Sequence, residues 1–176
     1  MKKRMEEFSS LATNASCMVS QSSALSMKKI SDSQIDFIVT SPPYANTYDY
    51  YLYHKHRMNW LGYDIKTPQS VEIGSRNKHH DNNLPITSYL ESLKSYFSEC
   101  NRVLRTGKFF CIVVGDAIKD GNMISMDKEM KNLSNETGFN LMQCFSYDLR
   151  KYSFSFRWIG KAPDKKGHIM IFKKEK

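Results

Sequence analysis

Ser41-Pro42-Pro43-Tyr44 sets a hydroxyl, two rigid rings and an aromatic side by side, directly after the apolar run Ile35 to Val39. Two successive prolines fix two φ angles and remove two backbone donors, so the carbonyls of Ser41 and Pro42 are left without strand partners and can face a ligand. With the Ser41 hydroxyl at its edge and Tyr44 against its face, such a loop can grip a planar molecule that carries an amino group. A nucleobase has that shape. X-Pro pairs also punctuate ordinary loops, so the elements around the motif decide between the two readings.

Those elements follow from periodicity. Residues 3 to 12 read as a short amphipathic helix, Ser16 to Ser20 as a short strand, Ser23 to Lys29 as a connector, and Ile35 to Thr40 as a strand. The aromatic-rich stretch Tyr48 to Leu61 is helix-compatible and stops at Gly62. Residues 63 to 86 carry little periodicity and read as a long irregular loop. Thr87 is placed to cap a helix that shows Leu90, Leu93, Phe97, Val103 and Leu104 on one face, before a turn at Thr106-Gly107. The near-continuous apolar run Lys108 to Val114 is expected in the middle of a parallel sheet, with the loop Gly115-Asp116-Ala117 after it. A helix over Met126 to Glu136, a strand over Leu141 to Tyr147, a basic loop from Arg150 to Lys166 and a last strand over Gly167 to Phe172 complete the chain. No helical pattern separates the last two strands, which predicts that they are antiparallel. The whole reads as one α/β domain over residues 1–176, a three-layer, mainly parallel sheet with an antiparallel last strand. Ligands in such sheets bind beyond the carboxyl ends of the strands, which places Ser41 to Tyr44 and Gly115-Asp116 on one rim.

Composition bounds the partners. The 176 residues are 40% hydrophobic and 12% aromatic, enough for a single core. No run reaches membrane-spanning length and no secretory signal follows Met1, which predicts a cytoplasmic protein. Cys17, Cys100, Cys111 and Cys144 are scattered, three of them in apolar segments, and are expected to be buried thiols rather than metal ligands or disulfides. His79-His80-Asp81 lacks helical ligand spacing, so no metal is expected there. A net charge of +8, from 26 Lys and Arg against 18 Asp and Glu, favours a polyanionic partner such as nucleic acid, although much of the excess sits at the two ends.

Together these motifs resemble the DNA amino-methyltransferases, whose catalytic loop follows a strand and reads Ser, Asp or Asn, then Pro-Pro, then an aromatic. The resemblance runs over residues 16 to 173. It includes the Tyr-rich helix Tyr48 to Leu61, the turn Leu104-Arg105-Thr106-Gly107, the strand end Val114-Gly115-Asp116, and Arg157, Lys161 and Pro163 before the last strand. It implies a Rossmann-like class I methyltransferase fold, S-adenosylmethionine as cofactor, DNA as substrate, Ser41, Pro42, Pro43 and Tyr44 as catalytic residues, and Thr40 and Ser23 beside the cofactor. At Ser23 the family often has an acidic residue. The serine that opens the loop resembles the enzymes acting on the 4-amino group of cytosine more than those acting on the 6-amino group of adenine, and no cysteine beside the loop suggests attack at a ring carbon.

One departure is large. Family members carry a Gly-rich loop, Phe-x-Gly-x-Gly or a relative, after a first strand, where the cofactor approaches the backbone. The eight glycines here never cluster, and the ribose-binding acidic residue is missing with them. The chain therefore resembles the catalytic half of a split enzyme of a restriction-modification system, which implies a hetero-oligomer with a second chain carrying the cofactor loop. Half a parallel sheet would also leave an apolar edge and face uncovered. For DNA contact the candidates are Arg76, Lys78, His79 and His80 in the long loop, with Arg157 and Lys161 near the end; solvated loop charge is the competing reading for each. Asp116 either shapes the base pocket or caps a turn. The aromatics Tyr50, Tyr51, Tyr53 and Trp60 are expected in the core or at a partner interface. Two other functions stay open: a noncatalytic nucleic-acid-binding or regulatory remnant of the fold, and methylation of RNA or of a protein amide.

Overall fold

The apolar runs pair into a four-stranded sheet in the computed structural model, which describes residues 16–81, 83–149 and 165–175. Its strands are β1 (Ile35–Thr40), β2 (Leu104–Gly115), β5 (Phe139–Asp148) and β6 (Lys166–Lys174), in the order β1-β2-β6-β5. β1 and β2 are parallel, while β6 runs antiparallel to both β2 and β5. Three strands therefore point one way and the last is reversed, as the missing helix between β5 and β6 predicts. A hairpin of β3 (Ala117–Lys119) and β4 (Asn122–Ile124) follows β2 directly and has no counterpart in the sequence reading.

Helices α3 (Ile86–Val103) and α4 (Met126–Glu136) cover one face of this sheet. On α3 the buried side chains Tyr89, Leu93, Tyr96, Phe97, Cys100 and Val103 recur every three or four residues, the stripe a helix must show to a sheet. Phe97 meets Phe110 at 5.1 Å between ring centroids and Phe172 at 5.7 Å, so one helix and two strands share an aromatic centre. Lys174 closes the far end, donating from Nζ to the carbonyls of Asn101 (2.6 Å) and Leu104 (2.8 Å) where α3 ends.

The opposite face is bare among the described residues. Phe37 and Val39 on β1 are 56% and 64% exposed, and Phe109 and Phe145 point the same way. The third layer of helices expected from the sequence is thus not present among the described residues. β1 is also an edge strand, with β2 on one side only.

Several local expectations are corrected. Ser16 to Ser20 form no strand and are exposed, because no neighbour offers them a ladder. The segment 63–86 is not irregular throughout: it holds helix α2 (Lys66–Val71) and a π-helical turn over Asn77–Asp81. Thr87 is not a cap; α3 starts at Ile86 after Pro85, whose fixed φ suits that position. Thr106-Gly107 lies inside β2, where Gly107 takes φ +77 at a bulge against β1. Of the cysteines only Cys100 is buried; Cys111 is half-buried, and Cys17 and Cys144 are exposed. Residues 3 to 12 and the basic loop with Arg157 and Lys161 lie outside the described residues. No described helix is long and apolar enough to cross a membrane.

Candidate active site

The carboxyl ends of β1, β2 and β5 and the start of β6 form one rim, and Ser41 to Tyr44 leave β1 there. Pro42 is buried and Ser41 exposed. The Pro43 carbonyl is taken by the hydroxyl of Tyr89 on α3, which donates to it at 2.9 Å. Tyr89 is buried, and burial pushes its phenol far above the ordinary value, so it stays a donor. Tyr96, two helical turns further on, lines the same cavity as Thr40 at the end of β1. Among the described residues no hydrogen bond occupies the Ser41 hydroxyl or the Pro42 carbonyl. The free Pro42 carbonyl is what the double proline predicts.

Tyr44 rests on the tip of β2. A Cβ at Gly115 would stand 3.1 Å from Cε2 of that ring, so only the bare backbone allows the present fit. Behind it, Asp116 is a hub. Its Oδ1 accepts the Met126 N–H (3.0 Å) and lies 3.0 Å from His168 Nε2, while Oδ2 accepts the Lys166 N–H (3.0 Å). Burial alone would push the Asp116 carboxyl up, but the His168 and backbone hydrogen bonds outweigh it and hold the group below the usual carboxylate range. The capping reading is therefore realised, on the first turn of α4. With Asp116 ionised, His168 presents N–H at Nε2, and its Nδ1 lies 2.8 Å from the Ser146 hydroxyl. Asp127 completes a group of three whose ligand-type atoms lie within 4.8 Å of one another; the Asp116 oxygens are already engaged by N–H donors.

Segment 62–81 is tied to the loop rather than free of it. Glu72 accepts the Tyr50 and Tyr51 N–H groups at 2.7 and 3.0 Å and so caps α1 (Tyr50–Trp60). The Asn46 N–H donates to the Gly74 carbonyl, and the Arg76 N–H to that of Tyr48. Ala24 and Leu25 reach the same wall because Arg102 bonds the carbonyls of Met27 and Ile30 and the carboxylates of Glu99 and Asp32. With Thr40, Ser41, Pro42 and Tyr96 they line a cavity of about 140 Å³. Ser23 itself is exposed, its Oγ accepting from the Leu25 N–H, one residue from that cavity.

The predicted DNA-contacting residues separate. Arg76 is exposed and 3.9 Å from Asp49. His79 is corrected: it is buried, its Nδ1 bonded to the Leu84 carbonyl at 2.9 Å, and burial lowers its pKa, so it braces the segment instead of meeting phosphate. Lys78 spends its ammonium on the carbonyls of Ser70 and Glu72. The His80 side chain, Arg157 and Lys161 lie outside the described residues. Tyr51 is the buried member of the α1 aromatics, whereas Tyr50, Tyr53 and Trp60 are exposed. Tyr89, Glu72 and His168 escaped the sequence reading. Tyr89 shares a face with Leu93 and Phe97, and a tyrosine in an apolar stripe needs a partner for its hydroxyl.

Comparison with known proteins agrees with this geometry. Residues 35–176 match the N6/N4 DNA methylase family. The Type II methyltransferase M.BsoBI of Geobacillus stearothermophilus is 25% identical over 115 residues, which are 65% of this chain and 22% of that protein. In fold, the chain is similar to the PvuII DNA methyltransferase, which is cytosine-N4-specific (TM-score 0.55, 18% identity, 87% of this chain and 47% of that one). It is also similar to TTHA0409 of Thermus thermophilus, described as a DNA modification methylase (TM-score 0.51, 15% identity, 87% and 52%). The chain thus spans about a fifth of the curated relative and half of these solved structures. With the Ser-Pro-Pro-Tyr loop on its expected rim and the family match over four-fifths of its length, the chain belongs to the N6/N4 DNA methylase family.

Proposed function

We propose that this chain is the catalytic half of a split, site-specific DNA methyltransferase of a cytoplasmic restriction-modification system, acting on the exocyclic 4-amino group of cytosine. The observation that carries the reading is the state of the loop: Tyr89 occupies the Pro43 carbonyl, Tyr44 sits on Gly115, and the Ser41 hydroxyl and Pro42 carbonyl are left as acceptors. An aromatic amine is a poor nucleophile because its lone pair is delocalised into the ring. Two acceptors at the N–H groups favour a pyramidal nitrogen and stabilise the positive charge that grows as its lone pair forms the new N–C bond. Tyr44 replaces the stacking that the base loses when it leaves the duplex. The surplus proton leaves the nitrogen afterwards, and no covalent enzyme intermediate is needed.

S-adenosylmethionine, when bound, supplies the electrophilic methyl carbon. The residues present fit one end of it: the cavity at Thr40 to Pro42 holds about 140 Å³, against the about 300 Å³ or more of a site for a ligand of that class. The remainder falls to a second polypeptide carrying a Gly-rich loop. The bare sheet face, the open edge of β1 and the half-length span of the solved relatives support that partner. TTHA0409 has also been solved with S-adenosylmethionine (TM-score 0.50).

The test is transfer of labelled methyl groups to DNA by the chain alone and together with the product of its neighbouring gene. Activity is expected from the pair only, lost in Ser41→Ala and Tyr44→Ala. Activity from the single chain would refute the split arrangement. No activity from the pair would favour a nucleic-acid-binding remnant, a reading that the small cofactor-side cavity also supports.

A further inference from the structure

A second concavity opens beside the catalytic loop, and nothing in methyl transfer requires it. It has a volume of about 620 Å³ and lies between the turn after Tyr44, the first turns of α1 and Arg76. This is well inside the range of a ligand site. Its walls are aromatic: Tyr48 and Tyr50 lie 5.7 Å apart at 53°, and Tyr53 meets His54 edge-on at 5.1 Å. These rings are not core. Tyr53 is 75% exposed, and Tyr48 and Tyr50 are open as well.

Cations accompany the rings. Tyr50, Tyr53, His54 and Arg57 fall at helical spacing on one face of α1, the last two within the run His54-Lys55-His56-Arg57, and the Arg76 side chain is 59% exposed across the opening, 3.9 Å from Asp49. The bare sheet face differs in kind, since Phe37, Val39, Phe109 and Phe145 offer area without such a run of cations. Stacking rings edged by cations match a base attached to its phosphates, whereas bare apolar area matches protein. The site also adjoins the catalytic loop, because Thr47, which lines it, donates its N–H to the Tyr44 carbonyl at 3.4 Å.

We infer that this cavity receives a nucleobase neighbouring the target base in the same strand, stacked on Tyr48 and Tyr53, with Arg76 and Arg57 on the adjoining phosphates. The inference rests on the proposed action on DNA. On this reading α1 holds the strand unstacked on one side of the loop while the target base enters on the other. A stacked base is worth about 1–3 kcal/mol, or about 5- to 150-fold in affinity.

The test measures binding of the full chain, by fluorescence anisotropy, to a single-stranded oligothymidylate and to a tetrahydrofuran (abasic) strand of the same length. The expected result is about 5- to 150-fold tighter binding of the base-bearing strand. Tyr53→Ala and Tyr48→Ala should bring the two strands near parity without weakening the abasic one, Tyr53→Phe should restore the difference, and Arg76→Ala should weaken both alike. Equal binding of the two strands by the unmodified chain, binding of neither, or no change in Tyr53→Ala would overturn the inference and leave the cavity to a protein partner. Tyr53 is exposed, so its loss does not threaten the fold. Failure of methyl transfer in the paired assay leaves this binding pattern unaffected, so the two readings fail separately.

Discussion

The two faces of the sheet have nearly the same composition and opposite fates. Phe109 and Phe110 are consecutive on β2, yet Phe110 is fully buried under α3 and α4 while Phe109 is 40% exposed on the bare side. A strand apolar on both faces is one built to lie between two layers. The difference teaches that β2 and β6 carry apolar side chains on both faces, and that the described residues cover only one of them.

The largest test of that contrast is a pair of truncations followed by chemical denaturation. Phe110→Ala should cost about 3–5 kcal/mol, since it opens a cavity among Phe97, Phe139 and Phe172. Phe109→Ala should cost the isolated chain about 1 kcal/mol or less. Its effect should appear instead as weaker association with the proposed partner chain, read by titration. Comparable losses in the two isolated variants would mean that the bare face is covered by this chain itself.

Asp116 tests the covered face by charge. Asp116→Asn removes an ionised acceptor from Met126, Lys166 and His168 and should cost about 1–3 kcal/mol near neutral pH. The Asp116 pKa is depressed in the folded state, so its stabilisation is full above the unfolded value of about 4 and is lost as pH falls through the lower folded value. The unmodified chain should therefore lose stability in that acidic window faster than the variant does. Parallel curves would remove Asp116 from the hub. Smallest is Lys94→Ala, which deletes an exposed ion pair to Glu136 between α3 and α4; a loss of about 0–1 kcal/mol in the same denaturation measurement is expected.

What could be read from the chain was what depends on neighbours in sequence. Ile35 to Thr40 and Lys108 to Val114 announce strands by their own composition, and the double proline announces a loop with free acceptors. The Asp116 hub could not be read, because its partners His168 and Lys166 lie 52 and 50 residues away and only the antiparallel return of β6 brings them to it. The stretch 63–86 looked structureless because its order is imposed from outside: Glu72 finds the end of α1, and Lys119 of the hairpin donates to the His79 carbonyl. His79 looked like a phosphate contact for the same reason. A histidine among polar residues gives no sign that its ring will be sealed under Tyr89. The Ser-Pro-Pro-Tyr loop was legible as a loop after a strand and its supports were not, since Tyr89 and Gly115 act through a hydrogen bond and a contact that only the fold creates.

Gly115 carries a consequence of its own. A ring lying on a residue without a side chain has a seat of no thickness, and one added carbon at 3.1 Å would lift Tyr44 by a few tenths of an ångström. Position 115 is thus a shim beneath Tyr44: on the proposed function, it would set how deep a slot a base enters.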